Sequence, residues 1–275
     1  MQKTKRSDDL DRKIISLYKT GLTTYQVSKQ ISCSQTFVMN CLKRHNIPTR
    51  STSSYNTKYI TNINFFKIID SQEKAYFLGL LYADGNNYIR KNHSYEVSIK
   101  LQIQDKLILE KFRDYICPNL KLKEIIDKRT NNKHVLLKIN NKELSNQLTN
   151  LGCIPNKSLS LTFPKIEEKL INHFVRGYFD GDGSLYNRKQ TKTGYVNYGW
   201  QITSTKMFCE SLKIYLNKLD IHSSMKLACS KTNNITCTLS VGGNKQIIKL
   251  LNWIYKDSAL HLDRKYEKYL KLKTL

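Results

Sequence analysis

Asp84 and Asp182 close two apolar stretches of similar design, FLGLLYADG at 77–85 and VRGYFDGDG at 175–183, and they lie 98 residues apart. Gly79 and Ala83 in the first stretch are four residues apart, as are Gly177 and Gly181 in the second, so each pair shares one helix face. Small residues on a face let two helix backbones approach closely. Gly85 and Gly183 then stand where a helix C-cap favours positive φ, which puts both aspartates in a last helical turn. A carboxylate there opposes the negative end of the helix dipole. A divalent cation removes that conflict, and the free carbonyls of the helix ends, those of Ala83 and Gly181, add oxygen ligands. Two carboxylates around a hard cation such as Mg2+ are suited to phosphodiester hydrolysis, which needs an activated water and a neutralised leaving oxygen. An EF-hand reading of DGDGSL fails, because its obligatory glycine would fall at Leu185.

The bulk composition points to a polyanionic partner. Forty-six Lys and Arg against 22 Asp and Glu give a net charge of +24, spread along the whole chain. Charge alone does not separate DNA from RNA. The length of 275 residues leaves room for a small domain and a larger two-lobed one. Seven cysteines form no C-x-x-C pair, so neither a disulfide framework nor a structural zinc site is expected, and the compartment is expected to be reducing. The N-terminal segment MQKTKRSDDLDRK has no apolar core and carries three aspartates, unlike a targeting peptide. No apolar run approaches a membrane span. The expected setting is intracellular, the cytoplasm of a bacterium or phage-infected cell or an organelle matrix, with no membrane partner.

The elements around the two aspartates repeat. In 95–104, Val97, Ile99, Leu101 and Ile103 alternate with Ser98, Lys100, Gln102 and Gln104, which predicts a half-buried strand. Asp105 is then placed to cap a helix carrying Leu109, Phe112 and Ile116. Strands near 120–127 and 133–140 and a helix near 141–151 follow. The second half repeats this order. A strand over 195–203 turns Val196, Tyr198, Trp200 and Ile202 inward and Asn197, Gln201 and Thr203 outward. Ser204 or Thr205 caps the next helix. Strands near 225–231 and 235–241 and helices near 244–255 and 260–273 complete it. Hairpins with helices on one face predict an α+β fold whose sheets keep an open polar face. Lys100, Gln102, Gln104, Lys138, Asn197, Gln201 and Thr203 on that face are residue types that read base edges or phosphates, and no acidic residue is among them.

Residues 1–50 form a separate unit. Leu10, Ile14, Leu17 and Tyr18 have helical periodicity, and Gly21 stops that helix. Thr23 or Thr24 caps a second helix through Ile31, and Ser34 a third with Phe37, Val38, Cys41 and Leu42 on its buried face. The three helices resemble the helix-turn-helix of resolvase-type domains. The third is the candidate recognition helix, with Gln35, Thr36, Met39, Asn40 and Lys43 as groove contacts. Residues 51–64 read as a polar linker able to track a minor groove.

Both Asp-Gly stretches resemble the LAGLIDADG motif of homing endonucleases, and residues 65–273 are similar in pattern to the two halves of such an enzyme. Tyr82 stands where the family name has its first Asp, and Asp180 holds that place in the second motif. Both copies keep the eighth-position acid that the family uses for metal. The resemblance implies a single-chain monomer of two pseudo-symmetric αββαββα halves, 65–164 and 165–275, forming a saddle on double-stranded DNA. It implies site-specific double-strand cleavage with Mg2+ or another divalent cation such as Mn2+. Gln102 and Gln201 match a peripheral position that orders water. They stand 18 and 19 residues beyond Asp84 and Asp182. Lys157 and Lys265 match the basic position at the end of each half, and Lys106 and Lys206 are weaker candidates. Two other functions use the same scaffold: an intron RNA maturase and a non-catalytic DNA-binding regulator.

Overall fold

The computed structural model describes residues 2–49, 61–90, 94–155, 157–189, 196–229 and 235–274. The chain divides into two units, Met1–Ile60 and Thr61–Leu275. Residues 51–60 of the expected linker lie outside the described residues.

In the first unit, α1 (Gln2–Lys19), α2 (Thr24–Ile31) and α3 (Gln35–Arg44) enclose a core of Ile14, Tyr18, Val27, Val38, Cys41 and Leu42. Gly21, at φ +104°, turns the chain out of α1. Thr23 opens α2 with a reciprocal capping box. Its hydroxyl accepts from the Gln26 amide at 3.1 Å, and the Gln26 side chain accepts from the Thr23 amide at 2.9 Å. Ser34 caps α3 by accepting from the Phe37 amide at 3.1 Å. Asp11 ties α1 to the end of α3: His45 Nε2 lies 3.0 Å and Arg44 3.2 Å from its carboxylate. Burial pushes the Asp11 pKa up, but the contacts with His45 and Cys41 and the Arg44 charge outweigh it and hold it below the usual range. One expectation fails here. Phe37 is not on the buried face; it is 39% exposed, because Val38, Cys41 and Leu42 already fill the narrow stripe that faces α1 and α2.

The second unit begins inside the expected linker. The Asn62 amide donates to the Ile116 carbonyl at 2.7 Å, and Phe65 and Phe66 pack with Phe112 and Phe77. Its first half runs α4 (Gln72–Asp84), β1 (Gly85–Ile89), β2 (Tyr95–Gln102), α5 (Lys106–Ile116), β3 (Lys123–Ile126), β4 (Lys133–Ile139) and α6 (Lys142–Asn150). Its second half runs α7 (Ile171–Asp182), β5 (Ser184–Lys189), β6 (Val196–Ser204), α8 (Lys206–Lys218), β7 (Ser224–Cys229), β8 (Ile235–Gly242) and α9 (Asn244–Ile254), and α10 (Asp263–Lys273) follows. Positions 195, 230 and 231, expected in strands, lie outside the described residues. The strand orders β1-β2-β4-β3 and β5-β6-β8-β7 are the same in the two halves, and every pairing is antiparallel. This is the expected α+β fold of two αββαββα halves.

Three local expectations change. The strand over 95–104 ends at Gln102, and Ile103 and Gln104 turn into a single 3-10 turn before α5. Asp105 makes no capping bond. Its buried carboxylate instead accepts from Arg264 Nε at 3.2 Å on both oxygens, latching the first half to α10. In the second half Thr205 does cap α8, and its hydroxyl also donates to the Leu161 carbonyl of the segment after the first half. Each half is thus held by the polar residue that precedes its middle helix. Gly85 (φ −78°) and Gly183 (φ −81°) do not adopt positive φ; Gly85 starts β1 and Gly183 immediately precedes β5. Glycine is needed there for closeness: a Cβ on Gly85 would stand 2.5 Å from the Leu81 carbonyl oxygen, and one on Gly183 would stand 2.6 Å from that of Phe179.

Candidate active site

The site rests on the packing of α4 against α7. A Cβ on Gly79 would overlap the Phe174 carbonyl oxygen, and one on Gly177 would overlap that of Tyr76. Backbone meets backbone at both places, as the small-residue spacing requires. Towards the C-terminal ends, a Cβ on Gly181 would overlap the Ala83 methyl and stand 3.0 Å from Asp84 Oδ2. The two helix ends therefore abut, and Asp84 and Asp182 finish them side by side.

Both aspartates keep an exposed face, while the packed helix ends strip water from the other side. Burial, and then the Asp182 charge, raise the Asp84 pKa to about 6 against the pull of Lys265, Lys157 and Arg264. Burial also raises Asp182, opposed by Lys157 first and Lys265 second. Two adjoining carboxylates that resist ionisation are a site that gains from a cation.

Lys157 and Lys265 are buried, at 8% and 5% exposure, rather than projecting into solvent. Lys157 donates to the Gly85 carbonyl. Lys265 donates to the carbonyls of Gly183 at 2.7 Å and Asp180 at 2.8 Å, and to that of Phe179. Burial lowers the Lys265 pKa to about 8, in spite of Asp180. The two lysines fix the helix-to-strand junctions beside the aspartates. No described side chain donates to the carbonyls of Ala83 and Gly181.

The glutamines are not equivalent. β5 and β6 pair Ser184 with Gln201, whereas β1 and β2 pair Asn86 with Ser98. Asn86 and Ser184 each stand second after the terminal aspartate, so the counterpart of Gln201 is Ser98. Gln102 lies further along β2, opposite His134, where its side chain accepts from Gln104 at 2.8 Å. The similar spacing in sequence, 18 and 19 residues, hides a difference between the two hairpins.

On the outer sheet face, Lys100 and Thr203 are exposed and Asn197 is half-buried, while Gln104 is exposed in the 3-10 turn that follows β2. The Thr203 hydroxyl lies 3.1 Å from that of Thr238. Lys138 pairs with Glu96 at 2.7 Å, and Arg90 pairs with the same carboxylate. The face is therefore not free of acid: Glu96 shares it, neutralised from two sides. In the first unit Gln35, Thr36, Met39, Asn40 and Lys43 are all exposed on α3, with Gln35 Nε2 bonded to Thr24 Oγ1 at 2.9 Å. Two further residues take part in these contacts without a signal in the sequence. Arg264 was masked by its neighbour Lys265, and Tyr76, which donates to Asp180 Oδ2 at 2.9 Å, has no sequence signal marking it.

The fold is that of the LAGLIDADG homing endonucleases. The I-SmaMI LAGLIDADG homing endonuclease bound to cleaved DNA superposes with a TM-score of 0.51 at 15% identity, over 75% of this chain and 89% of that one. The meganuclease I-SmaMI bound to uncleaveable DNA gives 0.51 at 13% identity, over 74% and 90%. Within the chain, residues 169–255 match the family model of the LAGLIDADG-like domain. An uncharacterized protein of Methanocaldococcus jannaschii, MJ0398, is 27% identical over 225 residues, 78% of this chain and 72% of that protein. No helix among the described residues is long and apolar enough to cross a membrane.

Proposed function

We propose that the chain is a site-specific DNA endonuclease that hydrolyses one phosphodiester in each strand of a long duplex target, acting as a monomer. The observation that carries this reading is the abutment of Asp84 and Asp182 at the ends of α4 and α7. Their raised pKa values, the carbonyls of Ala83 and Gly181 and the oxygen-only donor set fit Mg2+ or Mn2+. A divalent cation held there supplies the positive charge that hydrolysis needs at the attacking and leaving oxygens.

The remaining roles belong to the chain itself. Lys157 and Lys265 hold the Asp-Gly junctions in place and offset the paired carboxylates from behind. Gln201, close in register to the end of α7, orders water at its half of the site. Gln102 is further along its strand and contributes through the sheet face. Lys100, Lys138, Asn197 and Thr203 meet the duplex across the two open sheet faces, which form the saddle, and Gln104 meets it from the turn after β2. The first unit adds a helix-turn-helix with α3 in the major groove and Gln35, Thr36, Asn40 and Lys43 as contacts. Tethering makes its binding intramolecular and lengthens the recognised site. A net charge of +24 supplies the electrostatic part of the affinity.

The test is digestion of a randomised duplex library in Mg2+, with sequencing of the cut ends. Cleavage at one long asymmetric site is expected. Asp84→Asn and Asp182→Asn each keep binding to that site and lose double-strand cleavage. Persistent cutting by the double variant would reject the assignment.

A further inference from the structure

Of the nine phenylalanines, eight are buried or half-buried, and Phe37 alone stands exposed. It sits on the outer side of α3, and with Asn40, Lys43 and Arg44 it borders an open hollow of about 670 Å3. These four positions lie at i, i+3, i+6 and i+7, one surface of the helix. Apart from Asp11, which pairs with Arg44, their surroundings are cationic. No Asp or Glu occurs between residues 20 and 50, while Lys29, Lys43 and Arg44 do. The acids of the first unit are confined to α1, and Asp11 is buried against Arg44 and His45. An aromatic ring exposed within a cationic, amide-bearing surface suits a polyanion that offers one apolar group. In the major groove that group is the 5-methyl of thymine. Wedging between bases is a minor-groove device and does not suit a helix of this placement.

We propose that Phe37 reads a thymine methyl group in the major groove, beside an adenine read by the amide of Asn40 one helical turn on. The assignment rests on α3 being the recognition helix of the proposed endonuclease, and it adds a specificity residue that amphipathic patterning places in the core. Removing an exposed ring leaves the core of the unit intact, so Phe37→Ala folds, which the thermal melt of the full chain checks.

The experiment uses the full chain in EDTA, where binding is read without cleavage, at one fixed salt concentration. Hydroxyl-radical footprints of wild type and Asn40→Ala on the cleaved site locate the base pairs touched by α3. Thymines there are then replaced one at a time by deoxyuridine, which lacks only the methyl group. One replacement is expected to weaken wild-type binding by about fourfold, the worth of one buried methyl group. The same replacement leaves Phe37→Ala unchanged, and Phe37→Ala binds the thymine duplex at least fourfold more weakly than wild type. Equal sensitivity of both proteins to every replacement, or full affinity of Phe37→Ala, overturns the role of Phe37 while leaving the recognition helix standing. Loss of no protection in Asn40→Ala or Lys43→Ala overturns the recognition helix itself, and cleavage by the Asp84–Asp182 site is measured separately.

Discussion

The hydroxyl of Tyr76 donates to Asp180 Oδ2 at 2.9 Å across the helix pair, and the symmetry-related place holds a different solution. There Phe174 of α7 meets the ring of Tyr82 edge-on, with centroids 5.1 Å apart, and Tyr82 turns its hydroxyl to the Leu151 carbonyl. One half buries a tyrosine–carboxylate bond where the other buries two rings. Asp180 is fully buried; burial raises its pKa to about 6, against Lys265 and the bonds from the Leu262 amide and Tyr76. Its other oxygen, Oδ1, has no hydrogen-bond partner among the described residues. Tyr76→Phe removes one of the two side-chain and main-chain donors to Asp180 Oδ2. A loss of about 1–3 kcal/mol is expected in urea unfolding, with no change at the surface. Unchanged stability would mean that the bond contributes nothing to the helix pair.

The glycines at the crossing give a sharper test. In Gly79→Ala and Gly177→Ala the new methyl meets a backbone carbonyl of the facing helix, which cannot swing aside. Each should cost roughly 3 kcal/mol or more through overpacking. Because the crossing sets the spacing of Asp84 and Asp182, cleavage should fall further than DNA binding. Gly242→Ala is the control. Open space surrounds that position, and the change should stay within about 0.5 kcal/mol. Thermal melts together with single-turnover cleavage read both effects.

Much of this arrangement is legible in the sequence, because the two Asp-Gly stretches combine a backbone requirement with a chemical one. Small residues four apart have few uses other than close helix packing, and alternation along 95–102 and 196–204 fixes which side chains face out. Register is not legible in this way. Period two assigns a face but not a partner, so Gln102 and Gln201 look equivalent until pairing places Ser98 opposite Asn86 and Gln201 opposite Ser184. Long-range electrostatics is equally hidden. Asp105 has the form of a helix cap, and only the fold brings Arg264 to it from the far end of the chain. Phe37 has the pattern of a core residue yet stands exposed, because hydrophobicity predicts burial only while the core has room for the side chain.

Lys157 and Lys265 are expected to separate stability from chemistry by degree. Lys265→Met leaves the carbonyls of Phe179, Asp180 and Gly183 without their shared donor, whereas Lys157→Met frees only that of Gly85. Loss of stability on the order of 3 kcal/mol is expected for the first and about 1 kcal/mol for the second. The charges act crosswise: among the groups that favour ionisation, Lys265 leads for Asp84 and Lys157 leads for Asp182. Either variant should slow single-turnover cleavage at saturating enzyme, with binding of the uncut site little altered. Wild-type cleavage rates in both variants would exclude the lysines from the working site.

His173 predicts how the fold responds to acid. It is buried on α7 with Nδ1 2.9 Å from Arg176, and burial first, then the Arg176 charge, lower its pKa to about 4. The unfolded chain takes up a proton on this histidine near pH 6.5, while the folded chain resists until about 4. The unfolded state therefore binds more protons across that window, and stability from this residue is present above pH 6.5 and lost as pH falls towards 4. Asp180 works in the opposite sense between its ordinary value and about 6, so the histidine is isolated by a variant rather than by the wild-type curve alone. His173→Gln keeps a polar side chain beside Arg176 but cannot be protonated. Its Tm should fall less than that of the wild type between pH 7.5 and pH 5. Parallel Tm curves for the two proteins would show that His173 titrates alike in the folded and unfolded chains.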